Sequence, residues 1–478
     1  MLFNTIQFGI FFTFVFFLYW FVFNKSVSRR NIFLVICSYF FYACWDWRFM
    51  LLLAFSTLLD YFSGLKIQKA TDKKHKRRWL LVSVIINLGL LCFFKYYNFF
   101  ITEFSQLLYS IGFSPHLSTL SIIIPVGISF YTFHGLSYIF DVYNNKTNAR
   151  TNLADYALFV SFFPLLVAGP IERATHLLPQ IEKPVTFRYS KAVDGLKQIL
   201  WGLFKKIVIA DNCAPIVDDI FANYQFYGST SLAIGAMLFA IQIYGDFSGY
   251  TDIALGASRL LGFEVLQNFR FPYFSRDIAE FWRRWHISLS SWFKDYLYIP
   301  LGGSRNGKLK TVRNTFIIFL VSGFWHGANW TFIAWGGLNA LFIIPSVLLK
   351  TNRQNLDTVA TGRKLPSVTD AVKMTITFIL CCFAWIFFRS ESITDALRFI
   401  YNMFSSQSGL MPEHNILRIG ILIVFFMVVE WTGRHNKYAI EKTAINQKRY
   451  IRWAFYYLII VLVYCFMGNN QQFIYFQF

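Results

Sequence analysis

Long uninterrupted runs of apolar residues are the feature that most restricts the fold of this chain. The first run, about Ile6–Phe23, contains no charged residue, and about twenty such residues cross the hydrocarbon core of a bilayer as a helix. In all, 56% of the residues are hydrophobic and only 15% are charged, which leaves more apolar surface than a soluble protein can cover. Because the runs are continuous rather than alternating, they predict helices and not a membrane barrel.

The sequence therefore predicts an all-α polytopic membrane protein with about eleven transmembrane helices and one or two interfacial or re-entrant helices. We expect a single membrane domain over residues 1–478, because no soluble domain or internal repeat is visible. The apolar segments lie near Ile6–Phe23, Ile32–Cys44, Phe49–Leu59, Trp79–Phe94, Ser121–Phe140, Tyr156–Ala168, Leu196–Ala210, Ser231–Tyr244, Thr315–Trp325, Thr331–Leu349, Met374–Phe388, Ile416–Glu430 and Trp453–Met467.

Three further segments are apolar but do not have the pattern of an ordinary crossing. Asn98–Ser118 is amphipathic with few charges, and we place it outside the membrane. Phe247–Leu261 carries Gly, Asp and Ser, which predicts a segment buried against protein or re-entrant. Asp277–Tyr298 mixes charged residues with Trp and Tyr and predicts a helix lying in the membrane interface.

The net charge of +20 would ordinarily suggest nucleic-acid binding. Here the positive residues fall in short loops between apolar runs, the pattern expected of cytoplasmic loops. The loop Lys66–Arg78 is the most basic, and Lys350–Lys373 is similar. Both are predicted to face the cytoplasm, with no nucleic-acid partner. A site for an anionic cytosolic substrate is a second explanation for part of this charge.

His326 is the leading candidate for a catalytic residue. It directly follows an apolar run, with Gly323 and Gly327 on either side. An ionisable group at membrane depth costs several kcal/mol unless it is neutral or paired, and a neutral imidazole accepts a proton near neutral pH. The alternative is a structural histidine that forms hydrogen bonds between helices.

His286 is the second candidate. On a continuous helix it would share one face with Trp282 and Ser290, which lie four residues away on either side. The neighbouring Arg283 and Arg284 suit phosphates or lipid headgroups. Anchoring at the membrane surface is the simpler explanation for both arginines.

Two carboxylates, Asp246 and Asp252, stand in an otherwise apolar part of the chain. We expect each to be paired with a buried arginine or to cap a helix. Seven cysteines lie mostly in apolar segments, and no His, Cys or carboxylate spacing suits a metal. The sequence also lacks a nucleophile elbow and a phosphate-binding loop, so a serine hydrolase or ATPase is not supported.

Several motifs resemble those of the membrane-bound O-acyltransferase family. The segments 282–290 (WRRWHISLS) and 295–303 (DYLYIPLGG) together are similar to its first hallmark motif. The segment 322–327 (SGFWHG) is similar to the second. Shorter matches lie at 125–130, 168–173, 246–250 and the terminal 473–478. The hallmark motifs fall within residues 121–341. Within the family, the chain resembles the bacterial branch that acetylates alginate, peptidoglycan and other envelope glycans.

This resemblance implies a transferase that takes acetyl groups from cytoplasmic acetyl-CoA for O-acetylation of an exported polysaccharide. It implies His326 as the catalytic histidine, in a protein-lined passage, and His286 as the second histidine of the site. Lys205, Lys206, Arg283 and Arg284 are the residues we expect to meet the cofactor's phosphates. It implies that this chain lies in the bacterial cytoplasmic membrane, in contact with membrane lipid, and that a separate extracytoplasmic partner of the SGNH type carries a serine nucleophile. The alternatives are D-alanyl transfer to teichoic acid and a transporter without covalent chemistry.

Overall fold

The computed structural model describes residues 1–114, 117–167, 169–305, 307–405, 408–412, 416–443, 447–468 and 471–474. Within the predictions above, Ala168 and residues 475–478 lie outside the described residues. The described part of the chain is helical, apart from an isolated bridge between Tyr227 and Leu410. It divides into two compact units, residues 1–192 with 257–266 and residues 193–256 with 267–478.

The first unit is a set of helices with buried polar groups on their inner faces. In its interior, Arg30 donates to the carbonyls of Ile181 and Lys183, and Asn31 donates to Asp155. Its helices are α1 (Ile6–Leu18, continued by a π-helical turn Tyr19–Phe23), α2 (Val27–Ala43), α3 (Trp47–Lys69), α4 (Lys73–Ser110), α5 (Ile128–Tyr143), α6 (Leu153–Ser161), α7 (Phe163–Leu166) and α8 (Ala174–Ile181).

The second unit contains both candidate histidines and one continuous core of buried apolar side chains. Its helices are α9 (Tyr189–Leu203, continued by a π-helical stretch Phe204–Ala210), α10 (Asp211–Ala222), α11 (Ser229–Leu260, which ends in the first unit), α12 (Ile278–Arg284), α13 (Ile287–Phe293, continued by a π-helical turn Lys294–Tyr298), α14 (Lys308–His326), α15 (Trp330–Leu348), α16 (Val368–Arg389), α17 (Ile393–Phe404), α18 (Ile416–Gly433) and α19 (Arg449–Phe466).

Eight of the described helices are long and apolar enough to cross a membrane. This confirms a multi-pass all-α membrane protein, although eight is fewer than the predicted eleven. The other predicted crossings fall in helices that are shorter or more polar, such as α2, α5 and α14. The eight are α1 with its π-helical turn, α3, α4, α11, α15, α16, α18 and α19.

Helix α4 extends into the segment Asn98–Ser118, which the sequence analysis placed outside the membrane. Helix α4 runs without a break for 38 residues, from Lys73 to Ser110, so the apolar segment and most of the amphipathic one form a single helix. No Gly or Pro stands between residues 90 and 111, so nothing in the sequence there ends a helix.

Helix α11 likewise joins two predicted segments, Ser231–Tyr244 and Phe247–Leu261. It is 32 residues long, and 83% of its most apolar window is buried inside the protein. Every residue from Phe247 to Leu261 is buried, which confirms that this segment packs against protein rather than lipid. Its polar side chains are therefore available for contacts inside the protein.

Helices α14 and α15 pack closely through glycines. A Cβ atom added to Gly323 would lie 2.2 Å from the carbonyl oxygen of Phe332, and one added to Gly336 would lie 2.2 Å from that of Phe319. Small residues that let two helix backbones approach are typical of membrane proteins, where van der Waals packing drives helix association. This contact sets the position of the end of α14.

We expect Gly336→Ala to destabilise the protein by about 1–3 kcal/mol, because the new methyl group would overlap backbone. The neighbouring Gly337→Ala is the matched control, since its added Cβ meets only the Leu320 side chain, at 3.8 Å. Thermal unfolding of the two purified variants in the same detergent measures the difference. Equal midpoints for both variants would show that the α14–α15 contact is looser than described.

Candidate active site

His326 is the last residue of α14 and is fixed there by the turn that follows. Gly327 continues in an extended conformation, and a Cβ atom at this position would lie 2.1 Å from the Phe332 ring. Asn329 then caps α15 by accepting a hydrogen bond from the Thr331 backbone, at 3.0 Å. The histidine therefore stands where one helix ends and the chain turns into the next.

Aromatic rings surround His326. Its side chain is buried, and its ring centroid lies 4.9 Å from that of Trp325, 5.1 Å from that of Trp335 and 5.4 Å from that of Phe388. The position does not face lipid. In such apolar surroundings the neutral imidazole is the form that costs least, because a charged ring would lose its hydration.

The chain breaks its helical course at His286, so the predicted continuous helix through Trp282, His286 and Ser290 was wrong. Helix α12 ends at Arg284, and His286 adopts a left-handed conformation with φ 41° and ψ 54° before α13 begins. A residue with a Cβ atom rarely adopts this conformation, which costs of order 1–3 kcal/mol. Such strain is retained where surrounding structure holds it, and it is typical of functional sites.

Asn268 holds the turn that contains His286. Its carbonyl accepts from the Ile287 backbone at 2.9 Å, and its side-chain oxygen accepts from the Ser288 hydroxyl at 2.5 Å. The buried Trp285, which precedes His286, packs on Phe269 with 5.0 Å between the two ring centroids. The strained turn is thus fixed by hydrogen bonds and by ring packing at once.

His286 has no polar partner within the described part of the chain. Both ring nitrogens are buried without a hydrogen bond, and the nearest ring is Phe247, edge-on at 4.7 Å between centroids. Burial lowers the pKa of His286 to about 3, so the imidazole is neutral at physiological pH. A buried imidazole with both nitrogens unused can bind a polar group of a substrate.

The structure brings the two histidines to one aromatic cluster. Trp325 lies 6.2 Å from His286 and 4.9 Å from His326 between ring centroids. The indoles of Trp285 and Trp335 both pack on Trp385, at 5.1 and 5.6 Å. Two residues forty positions apart in the sequence are therefore neighbours around one tryptophan.

The buried carboxylates are paired with lysines, and the expected arginine partners were wrong. Lys205 contacts Asp252 at 2.5 Å, and Lys206 contacts Asp211 at 2.9 Å and Asp246 at 2.8 Å. All five side chains are nearly or fully buried. The two lysines that were predicted to meet phosphates thus already have carboxylate partners.

The two predicted arginines differ in their contacts. Arg284 is buried and pairs with Glu280 at 2.8 Å, an acidic residue one helical turn earlier. Arg283 is only partly buried and donates to the carbonyls of Asn352 and Asn355. The contacts of Arg283 are therefore to neutral oxygens, which leave its charge available to an anion.

Glu430 is a buried residue that the sequence analysis did not single out. It lies in α18 and accepts from the Trp201 indole at 2.8 Å and the Tyr244 hydroxyl at 2.6 Å. A lone glutamate in a transmembrane segment is a recognisable signal, because an intramembrane charge is rarely kept without a role. Its two partners lie on other helices, so the pairing itself could not be read from the sequence.

Two of the cavities in the described part of the chain are lined by residues of the second unit. A small polar one, of about 20 Å³, has room for about one water molecule and is lined by Glu430, Lys205 and Asp252 among others. A larger apolar one, of about 490 Å³, is lined by residues of α11, α16 and α18 together with Tyr273. Neither lining includes the two histidines, so the passage to His326 stays a prediction.

No group of three or more His, Cys, Asp or Glu side chains within the described ranges could hold a metal ion. The groups around the candidate site are instead neutral imidazoles, indoles and paired charges. This arrangement suits proton transfer and hydrogen bonding in a water-poor site.

The chain is similar to proteins of one family. Residues 7–388 match the membrane-bound O-acyltransferase family, MBOAT. The chain is 39% identical over 415 residues to the probable alginate O-acetylase AlgI of Pseudomonas aeruginosa, covering 86% of this chain and 77% of the relative.

Two other relatives are named for different acceptors, peptidoglycan and teichoic acid. Identity is 37% over 437 residues to the peptidoglycan O-acetyltransferase of Helicobacter pylori, covering 84% of this chain and 80% of the relative. It is 28% over 293 residues to the teichoic acid D-alanyltransferase of Bacillus subtilis, covering 58% of this chain and 71% of the relative. The two O-acetyltransferases therefore match more of the chain, at higher identity.

The burial of His286 predicts a dependence of stability on pH. Because its pKa is about 3 when folded and about 6.5 when exposed, the unfolded chain binds the extra proton between these values. The free energy of unfolding therefore includes the full contribution of the neutral imidazole above pH 6.5. This contribution falls as the pH is lowered, by about 2 kcal/mol at pH 5. His286→Asn, which tolerates the left-handed backbone, should therefore lose less thermal stability than wild type between pH 7 and pH 5. An equal loss in both proteins would contradict the prediction.

Proposed function

The chain belongs to the membrane-bound O-acyltransferase family, and we propose that it transfers acetyl groups from cytoplasmic acetyl-CoA for O-acetylation of an exported envelope polysaccharide. It is an O-acyltransferase with many membrane-spanning helices. The observation that carries the proposal is the pairing of two buried imidazoles around Trp325. One of them, His286, offers two unused nitrogens to a substrate.

His326 is proposed as the general base. It would take the proton of an acceptor hydroxyl as the oxygen attacks the thioester carbonyl carbon, forming the new C–O bond. The C–S bond then breaks, and the departing thiolate of coenzyme A takes the proton back from the imidazole. A histidine that is neutral before the reaction can accept this proton, and the apolar rings around it exclude water that would compete as the acceptor.

His286 is proposed to hold the reacting carbonyl or hydroxyl by a hydrogen bond. A neutral imidazole carries one N–H donor, and this donor has no internal partner to compete with the substrate. Because the backbone around His286 is fixed in a strained conformation, the donor would be oriented before the substrate arrives. Such preorganisation is the usual source of transition-state stabilisation.

Of the four basic residues predicted to meet the donor's phosphates, Arg283 has the most suitable contacts. It lies near the strained turn and, among the described residues, donates to backbone carbonyls; Asp277 and Glu280 act on its charge only at longer range. Lys205, Lys206 and Arg284 are paired with carboxylates, which weakens the case for each of them. We keep all four as a proposal, with Arg283 first.

The acceptor proposal rests on relatives named for alginate and peptidoglycan O-acetylation. The acetyl group would leave on the outer side of the bacterial cytoplasmic membrane, where an extracytoplasmic SGNH-type partner with a serine nucleophile would pass it to the polysaccharide. D-alanyl transfer to teichoic acid is the second candidate, favoured by the relative that carries that name. A transporter without covalent chemistry has no comparable support.

The test is acyl transfer by purified protein in proteoliposomes with radiolabelled acetyl-CoA. We expect His326→Ala to lower thioester cleavage by about 100- to 10,000-fold, the usual contribution of a general base. His75→Ala is the control, because His75 is exposed at the start of α4. Substituting D-alanyl for acetyl donors in the same assay separates the two candidate functions.

A folded His326→Ala protein with wild-type turnover would overturn the catalytic assignment. Folding is established independently by thermal unfolding and by gel filtration in detergent. If neither donor is cleaved by wild-type protein when the SGNH-type partner and the polysaccharide are both present, the acyl-transfer proposal itself fails.

A further inference from the structure

A short segment near the C-terminal end, residues 471–474, inserts its last two side chains into the second unit, while Gln472 is exposed. Phe473 and Ile474 are 0% and 2% exposed. The segment is not part of a long helix, so its backbone polar groups need partners from elsewhere in the protein. Those partners are the buried charges described above.

Lys206 and Asp246 bind the backbone of this segment. The Lys206 ammonium donates to the carbonyl of Gln471 at 3.1 Å, and the Ile474 N–H donates to the Asp246 carboxylate at 2.7 Å. Lys206 is simultaneously paired with Asp246 and Asp211. The ion pairs and the docked segment therefore form one connected network.

The Phe473 ring connects this segment to the active site. Its centroid lies 4.4 Å from that of Tyr250 and 6.0 Å from that of Phe247. Phe247 in turn stands edge-on to His286, at 4.7 Å. Only one ring therefore separates the docked segment from the imidazole.

Simple burial of an apolar tail does not explain this arrangement. Taking a lysine and two carboxylates out of water is expensive, and apolar side chains of similar size often stabilise a core better. The Lys206 network uses its charges to bind backbone atoms of one particular segment. Directional hydrogen bonds of this kind fix which residues of the segment meet the network, whereas apolar packing alone would not fix this register.

We propose that residues 471–474 are a positioning element of the active site, held by Lys206 and Asp246, and that Phe473 fixes His286 through Phe247. Because neither ring nitrogen of His286 makes a hydrogen bond to the described residues, ring packing and the backbone turn are what orient the imidazole. Phe269 holds the Phe247 ring at 4.9 Å between centroids, and loss of Phe473 would remove a second contact and widen the space on the side of Phe247 that faces the segment. The proposal rests on the role proposed above for His286.

The first test compares Phe473→Ala with Ile474→Ala in the acetyl-CoA assay. Both remove a buried apolar side chain from the same segment, and both keep the Ile474 N–H that binds Asp246. We expect Phe473→Ala to lower kcat by about 10- to 100-fold, since small displacements of a catalytic group have effects of this size. The KM for acetyl-CoA should stay within about twofold, and Phe473→Leu should recover most of the loss.

A purely structural role would give a different result. Phe473→Ala and Ile474→Ala would then lose activity in proportion to their loss of thermal stability, with no separate effect on kcat. That outcome, or an unaltered kcat in a folded Phe473→Ala protein, overturns the proposal. If His286→Asn and His326→Ala are also fully active, the proposed function has failed as well, and the two failures are thereby distinguished.

The second test measures docking without reference to activity. Lys206→Met removes the cation that binds Gln471, whereas Lys205→Met removes a neighbouring cation that pairs with Asp252. Hydrogen exchange followed by mass spectrometry should show faster exchange in the C-terminal peptide of Lys206→Met, by about tenfold or more. The same peptide should exchange at the wild-type rate in Lys205→Met. Equal exchange in the two variants would show that Lys206 does not hold the segment.

Discussion

The structure of the second unit depends on one constraint, that a charge buried away from water has to be neutralised or bonded inside the protein. The constraint is met for Lys205 and Lys206 by carboxylate partners. It is met for Glu430 by hydrogen bonds from an indole and a phenol. Because these partners lie on different helices, meeting the constraint also fixes how α9, α11 and α18 pack. The ion pairs and hydrogen bonds that neutralise the buried charges therefore also hold these helices together.

The two histidines satisfy the same constraint in another way. A neutral imidazole can be buried at modest cost, and aromatic rings occupy the space around both residues. His286 differs from the buried lysines in that both of its nitrogens lack a partner. The unit thus pairs these buried charges inside the protein but leaves hydrogen-bonding capacity unused at the proposed site.

Strain and packing act together at this site. The left-handed backbone of His286 is unfavourable by itself, and Asn268 and the packing of Trp285 compensate for it. The close contact of α14 and α15, which glycines permit, places His326 beside the same tryptophan cluster. Rigid packing of this kind suits a reaction that needs fixed donors more than moving parts.

The sequence by itself determined the membrane environment, the all-α class, the family motifs and the choice of His286 and His326. These follow from composition, run length and local patterns, which are properties of neighbouring residues. It did not determine how many predicted segments join, because the ends of α4 and α11 depend on packing rather than on a local stop signal.

Only the tertiary structure decided which groups meet. Lysines rather than arginines pair with Asp246 and Asp252, Glu430 joins Trp201 to Tyr244, and the helix breaks at His286. The physical reason is that pairing energies act between residues far apart in the chain. A sequence pattern records which side chains need partners, but the fold selects the partner from among several that are chemically equivalent.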